Sequence, residues 1–458
     1  MSVLVLLAAI AALGAGGFAL ARGRALAAVA DGAARLHSLP AYYGWYGALW
    51  TALPGIAVIV LWLAVSPSLL PSLALAPGVS TPEDPAQREL FWNDVENLAR
   101  GDFVAEHTDD AVRSTAQRYV ALRGRALTGA LALTVLLGLA GGAIALRGIR
   151  PALAARVHVE RVLRGVLLLS STLAILVTIG IVLSLVFETL RFFDAVSPRE
   201  FLFGTEWSPQ IAMRADQVAS AGSFGAVPIF VGTLLITTIA MVVAVPIGLL
   251  SAIHMTFYAS ARARDVLKPL LEILAGVPTV VYGFFAALVV APAVRDLGGA
   301  IGLSVASESA LAAGLVMGIM IVPFISSLSD DAITAVPISL RDGSFGLGAT
   351  RSETIRLVII PAALPGIVGG FLLAVSRAIG ETMIVVMAAG LAANLSFNPL
   401  DAVTTVTVQI VTLLTGDQEF DSPKTLAAFA LGLTLFVVTL ALNVAALRIV
   451  KRYREKYD

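Results

Sequence analysis

Two opposite charges lie inside a long apolar stretch near the C-terminal end of the chain. Arg377 and Glu381 are the charged residues within the run 364–391. A charge in the hydrocarbon region of a membrane costs at least about 2.5–3.5 kcal/mol, so such residues usually serve a function. Their spacing of four residues predicts that both side chains lie on one face of one helix.

The chemistry of this pair fits the passage of an anion. A guanidinium presents a planar fork of donors to the oxygens of an anion such as phosphate. Glu381 would pair with Arg377 when no anion is present, and it would keep the anion from binding too tightly to leave. The alternative is a structural ion pair that faces a neighbouring helix.

A second stretch, 342–361, combines charges with a glycine and a proline and reads DGSFGLGATRSETIRLVIIP. Asp342 can cap a helix N-terminus and match its dipole. Gly348 suits a sharp bend that needs a positive φ. Pro361 can begin the next helix, where its missing N–H costs little. The alternative is an ordinary loop with a charged, solvated face.

Motifs for catalysis or metal binding are absent from the sequence. There is no G-x-x-x-x-G-K-[ST] loop for phosphate, and none of the four lysines follows a glycine. The chain has no cysteine, and its histidines are scattered without metal-ligand spacing, at positions His37, His107, His158 and His254. We therefore expect no catalytic residue, no metal site and no cofactor in this chain.

The elements that hold these residues are predicted to be transmembrane helices. The chain is 58% hydrophobic and 14% charged, with a mean hydropathy of +0.89, whereas soluble domains carry about 25% charged residues. Apolar stretches of about 18 residues or more can cross the hydrocarbon core as helices, and they lack the alternation of barrel strands. The prediction is an all-α polytopic bundle with nine spans, at 3–20, 44–65, 126–146, 166–187, 228–255, 269–291, 309–328, 361–391 and 426–447.

Charge distribution predicts the orientation of these spans. A signal peptide would have basic residues before its apolar run, whereas here Arg22 and Arg24 follow the first run, which favours a retained span with its N-terminus outside. An odd number of spans then places the C-terminus in the cytoplasm. Lys and Arg are most frequent in the loops that this orientation places inside, as expected. These loops are 21–43, 147–165, 257–268, 329–360 and 448–458. The segment 66–125 is then external, with a helical part over 89–125.

The stretch 342–361 resembles the docking loop of ABC importer permeases. That loop has the pattern E-A-A, three residues, Gly, nine residues, then I-x-L-P. The matching positions here are Asp342, Gly343, Ser344, Gly348 and Pro361. Asp replaces Glu, while Gly and Ser replace the two alanines, which lowers helix propensity before the bend. The resemblance implies that the loop binds a separate ATPase subunit.

Three further stretches resemble the PstC type of phosphate permease. They are FLFGTEWSP at 201–209, GVPTVVYG at 276–283 and SRAIGETM at 376–383. The second is predicted either as a broken helix that lines a path or as a packed kink. The resemblance implies a type I ABC importer core of six spans over 166–458, after an N-terminal extension of about three spans over 1–165. It also implies that the arginine and the glutamate of the third stretch, Arg377 and Glu381, are important for transport.

The resemblance implies the membrane subunit of an ATP-driven phosphate importer in the bacterial inner membrane. Its partners would be a second permease of the PstA type, two copies of a PstB-type ATPase that binds ATP and Mg, and a PstS-type phosphate-binding protein. One alternative is an ABC permease for another oxyanion, such as sulfate or phosphonate. A second alternative is a gradient-driven carrier or a channel that acts alone.

Overall fold

The computed structural model describes residues 3–29, 35–75, 79, 81–82, 84–101, 109–209, 222–415 and 422–453. Within these residues the chain is helical apart from one short pair of strands and the connecting segments. Nine of the described helices are long and apolar enough to cross a membrane. The predicted all-α polytopic fold and the predicted number of spans are therefore confirmed.

The contacts divide the chain into two units, 1–175 and 176–458. The first unit contains four complete helices and the beginning of a fifth, which continues into the second unit. They are α1 Val3–Ala27, α2 Pro40–Ala74, α3 Pro85–Arg100, α4 Asp110–Gly148 and α5 Ala155–Ala195. The helical part predicted over 89–125 is formed by α3 and by the start of α4.

Glycines let the helices of the first unit approach closely. A Cβ atom on Gly141 of α4 would lie 2.1 Å from the carbonyl oxygen of Trp50 on α2. A Cβ atom on Gly47 of α2 would lie 2.5 Å from the carbonyl oxygen of Gly17 on α1. Since small residues allow backbones to meet within a membrane, these positions fix the packing of α1, α2 and α4.

The second unit holds the remaining elements. In chain order they are α6 Pro198–Phe203, β1 Trp207–Ser208, β2 Ser223–Phe224, α7 Val227–Ile253, α8 Ala261–Ala275, α9 Thr279–Phe285, α10 Ala291–Ala300, α11 Ala310–Thr334, α12 Ile338–Gly346, α13 Arg351–Thr354, α14 Ile360–Ile379, α15 Met383–Ala388, α16 Val406–Leu414 and α17 Pro423–Tyr453. Three π-helical turns extend these helices: His254–Tyr258 ends the long helix that begins with α7, Ala286–Val290 joins α9 to α10, and Ile355–Ile359 joins α13 to α14.

The centre of the second unit is α11, which packs along α7. A Cβ atom on Gly314 would lie 2.6 Å from Ile239, and one on Gly318 would lie 2.9 Å from Val243. Gly314 and Gly318 form a GxxxG pattern, which allows close contact between helices. Most of α11 is buried, and its buried residues include the polar side chains of Ser326, Ser329 and Asp330.

The sixth and eighth spans differ from their predicted limits. The predicted span 269–291 is interrupted, because α8 ends at Ala275 with Gly276 as its cap, and a new helix starts after Pro278. The apolar helix there runs over Thr279–Ala300. The predicted span 361–391 instead runs over Arg351–Ile379, and α15 follows it as a separate short helix.

The stretch FLFGTEWSP forms a compact structure at the start of the second unit. Phe201 on α6 is fully buried, and β1 pairs antiparallel with β2. Trp207 donates a hydrogen bond from Nε1 to Oε1 of Gln409 on α16, at 2.9 Å. This stretch is a structural link between α6 and α16.

Candidate functional site

A cavity of about 260 Å³ lies in the second unit between α8, α11 and α14. This volume is far larger than the roughly 10–15 Å³ needed for one water. Its charged and polar lining comes from α8, α11 and α14, and its apolar lining includes Met255 and Met320. The charged and hydroxyl residues that line it are Lys268, Glu272, Ser326, Ser327, Asp330 and Arg377.

Arg377 is the predicted transport residue that the structure places in this cavity. Its guanidinium carbon lies 5.5 Å from the ring centre of Phe324, in the middle of α11. Among the described residues, the guanidinium has neither a hydrogen bond nor an ion pair with a carboxylate. Its donors are therefore available to an anion that enters the cavity.

Glu381 does not share a helix face with Arg377, and the predicted resting pair is wrong for this conformation. The helix α14 ends at Ile379, and Gly380 caps it. Beyond that end, Oε1 of Glu381 accepts the backbone N–H groups of Met383 and Ile384, at 3.0 and 3.4 Å. Glu381 is also not among the residues that line the cavity. Its predicted role in transport stays a prediction.

A buried carboxylate that the sequence analysis did not single out lies at the same cavity. Asp330 on α11 is 3% exposed, and its Oδ1 accepts the hydroxyl of Thr256 at 2.7 Å. Nη2 of Arg264 lies 3.1 Å from both carboxylate oxygens, and Nζ of Lys268 lies 3.0 Å from Oδ2. We refer to Asp330, Arg264, Lys268 and Thr256 as the Asp330 cluster.

Sequence spacing holds a signal for this cluster. Arg264, Lys268 and Glu272 follow one another at intervals of four, so they lie on one face of α8. The predicted seventh span ended at 328, which placed Asp330 in a loop. The helix α11 in fact continues to Thr334, and this continuation buries the carboxylate.

The predicted docking residues lie on α12 and around its end. Asp342 is not a cap, contrary to the prediction, because α12 begins after Pro337 and Asp342 lies in its interior. It is exposed, and its Oδ1 lies 3.6 Å from Nε of Arg341. A Cβ atom on Gly343 would meet no atom within 4 Å, and Ser344 hydrogen-bonds the hydroxyl of Thr354 at 2.9 Å.

The predicted bend at Gly348 is confirmed. Gly348 has a φ of +86°, its N–H donates to the carbonyl of Phe345, and the N–H of Ala349 donates to the carbonyl of Ser344. This is a Schellman motif, in which glycine takes the left-handed position after a helix. Thr350 then starts α13 in a capping box with Glu353. Glycine and capping box together set the angle between α12 and α13.

Pro361 does not begin a separate helix, contrary to the prediction. It is the second residue of α14, and the π-helical turn Ile355–Ile359 joins α14 directly to α13. The chain therefore runs as one helical segment from Arg351 to Ile379. The segment of α12 and α13 is in this way continuous with the helix that carries Arg377.

The α13 helix also contacts the end of α7. Nη1 of Arg351 donates to the carbonyl of Phe257 at 2.9 Å, and its guanidinium lies 5.8 Å from the ring centre of Tyr258. Phe257 belongs to the same π-helical turn as Thr256, which donates to Asp330. One turn of the backbone thus touches both α13 and the Asp330 cluster.

Comparison with family models defines the class of this protein. Residues 7–177 match the model described as "Phosphate ATP-binding cassette transporter". Residues 244–455 match the model described as "Binding-protein-dependent transport system inner membrane component". Together with the membrane-spanning helices of the described chain, these matches define a multi-pass inner-membrane permease of binding-protein-dependent transport systems.

Several relatives place the chain more narrowly. The probable ABC transporter permease protein YqgH of Bacillus subtilis is 36% identical, over 54% of this chain and 75% of its own length. The phosphate transport system permease protein PstC 1 of Mycobacterium tuberculosis is 34% identical, over 55% of this chain and 81% of its own length. PstC of Haemophilus influenzae is 30% identical, over 65% of this chain and 95% of its own length. The chain belongs to the PstC-type family of ABC transporter permeases.

Proposed function

We propose that this chain is the membrane subunit of an ATP-driven importer that carries inorganic phosphate into the cytoplasm. Family membership supports a role as a transporter subunit rather than an enzyme. The observation that carries the choice of an anion is the position of Arg377. Its guanidinium lines the cavity together with Lys268, Glu272 and Asp330, and among the described residues it forms no ion pair, whereas Lys268 is paired with Asp330.

In this proposal Arg377 binds phosphate during its passage. A guanidinium holds two oxygens of a tetrahedral anion at once, which orients the anion and distinguishes it from chloride. The contact with Phe324 keeps the guanidinium at the cavity wall without neutralising its charge. Glu381 lies four residues further along the chain. It would pair with Arg377 in another conformation, when no anion is present.

The segment of α12 and α13 would dock onto an ATPase subunit. The surface of this segment contains Asp342, Gly343 and Ser344, and its bend lies at Gly348. Pro361 lies where the segment joins α14. Leu347 at the bend is 92% exposed, as expected for a side chain that a partner covers. Movement of the ATPase would then be transmitted along α13 and α14 to Arg377.

The partners follow from this arrangement. A second permease of the PstA type would complete the path, and two PstB-type ATPase copies would bind ATP and Mg at the cytoplasmic face. A PstS-type binding protein would deliver phosphate on the outside. The ATPase can shift the two-state equilibrium of the permease only by binding one state more tightly than the other. The cycle therefore requires that the docking segment differ between states.

Uptake into proteoliposomes that hold the complete complex tests this function. With ATP at the docking side and binding protein on the other side, radiolabelled phosphate should accumulate, and excess unlabelled phosphate should abolish the signal. Equal competition by sulfate or methylphosphonate would favour a permease for another oxyanion. Phosphate movement by the isolated chain under an ion gradient would favour a carrier or channel instead.

A further inference from the structure

The cavity contains a second cation, Lys268, which forms an ion pair with a carboxylate. Lys268 lines the cavity, and its ammonium lies 3.0 Å from Oδ2 of Asp330. The Lys268 side chain is 40% exposed, whereas the Asp330 side chain is 5% exposed. The carboxylate is therefore fixed in the protein interior, while the ammonium can turn towards the cavity.

A second cation, Arg264, also pairs with Asp330, so the carboxylate would stay paired without Lys268. Arg264 contacts both of its oxygens, and the hydroxyl of Thr256 donates to Oδ1. If Lys268 turned away, the buried carboxylate would still have a charged donor and a neutral donor. A buried charge that stays paired in this way avoids the large penalty of isolation.

The wall of the same cavity also contains a hydroxyl group without a partner in the described chain. Ser326 lines the same cavity one helical turn before Asp330, and it is 1% exposed. Its Oγ has no hydrogen-bond partner in the described part of the chain. A buried hydroxyl without a partner is unfavourable, and a small movement of the cavity wall would let an anion in the cavity accept its hydrogen bond.

Lys268 and Arg377 lie at different levels of the cavity. Arg377 contacts Phe324, whereas Lys268 contacts Asp330, six residues further along α11. Six residues correspond to roughly 9 Å along a helix axis. An anion that leaves Arg377 towards the segment of α12 and α13 therefore passes Ser326, two residues beyond Phe324, and then meets Lys268.

We propose that Lys268 and Ser326 form a second phosphate station, and that Asp330 competes with phosphate for Lys268. The ammonium turns to the anion as it arrives and returns to Asp330 as it leaves. This exchange lowers the net affinity of the station, which a transport path requires because bound ions must leave. The inference rests on the proposed function, since it names a further part of the same path.

Removal of the competing charge gives the first test. In the detergent-purified complex with its partners, Asp330→Asn should increase the retention of radiolabelled inorganic phosphate by about tenfold or more, because a charged hydrogen bond no longer has to be exchanged. Phosphate turnover in proteoliposomes should fall. Asp331→Asn removes an exposed carboxylate from the next residue and should leave both readouts unchanged.

Changes at Lys268 give the second test and do not depend on the Asp330 variant. Lys268→Gln should weaken phosphate retention by about tenfold, and Lys268→Arg should restore most of it, because the charge returns. Arg262→Gln, an exposed arginine two residues before Arg264, is the matched control. The double variant Asp330→Asn with Lys268→Gln should lose the increased retention.

A purely structural cluster would give different results. If the Asp330 cluster only fastened α8 to α11, Lys268→Gln would lower the thermal stability of the complex and leave its phosphate affinity unchanged. That result would overturn the second station, and so would retention that rises equally in the single and the double Asp330 variants. Failure of the wild-type complex to take up phosphate would instead overturn the proposed function.

Discussion

At the scale of single residues, Arg377 is a cation within an apolar run, and it forms no ion pair with a carboxylate of the described chain. A cation inside an apolar run is visible directly, because its cost requires a reason. The pairing with Glu381 is not, since a spacing of four residues implies contact only while the helix continues. Here α14 stops at Ile379, and Glu381 instead holds the backbone N–H groups of the next turn.

Under the proposed function, Arg377 serves the binding of the anion rather than the stability of the fold. Arg377→Gln should reduce phosphate uptake to background while assembly and membrane insertion are retained, because no ion pair of the described chain is lost. Uptake by reconstituted complexes and size-exclusion chromatography measure these two properties. Arg448→Gln, an exposed arginine on α17, is the control. Normal uptake by the Arg377 variant would assign the residue to packing.

At the scale of elements, the bend between α12 and α13 follows from one glycine, whereas the start of α12 does not. Gly348 stands where a left-handed residue is needed, so its role is predicted from its type. Asp342 was predicted as a cap, but Pro337 starts the helix earlier and leaves Asp342 inside it. The π-helical turns leave no clear sequence signal, because they depend on tertiary contacts.

The positive φ of Gly348 makes it sensitive to substitution. Gly348→Ala should cost about 1–2 kcal/mol through the strained backbone and thereby displace α13 from α12. Phosphate-stimulated ATP hydrolysis by the complex should fall. Gly346→Ala is the matched control, since it lies within α12 with open space around its Cβ position. Equal losses of ATP hydrolysis in both variants would show that the loss does not come from the bend angle.

The hydrogen bond from Arg351 to Phe257 connects α13, in the segment proposed to dock the ATPase, to the π-helical turn that ends the α7 helix. Arg351→Ala should lower the amount of phosphate imported per ATP hydrolysed by about twofold or more, because movement of α13 no longer pulls on the end of α7. Simultaneous assays of uptake and hydrolysis in proteoliposomes give this ratio. Arg356→Ala removes an exposed charge nearby as a control, and an unchanged ratio in the Arg351 variant would exclude the connection.

At the scale of the whole molecule, the number of spans is predictable and their limits are not. Long apolar stretches allow little besides a membrane helix, because lipid offers no hydrogen-bond partner to the backbone. The limits depend on polar residues near the ends, as at α8, where Lys268 and Glu272 lie on a cavity face. From composition alone, the sixth span was predicted to begin at 269, within α8. In the structure the helix breaks at Gly276, and the apolar helix begins at Thr279.

The predicted orientation can be measured because the sequence contains no cysteine. A single cysteine in place of Leu347 should react with a membrane-impermeant maleimide only after the cells are opened. A single cysteine in place of Glu89, which is exposed on α3, should react in spheroplasts whose membrane is intact. The reverse pattern would place the C-terminus outside and would contradict the proposed docking of an ATPase.

The exposed side chain of Leu347 also bears on the life of the subunit before assembly. In the predicted orientation, an orphan copy would display this leucine to the cytosol, where chaperones and proteases survey apolar groups on protein surfaces. The ATPase would hide it on arrival. The cellular amount of this permease should therefore follow the amount of its ATPase, so that synthesis of one subunit governs the survival of the other.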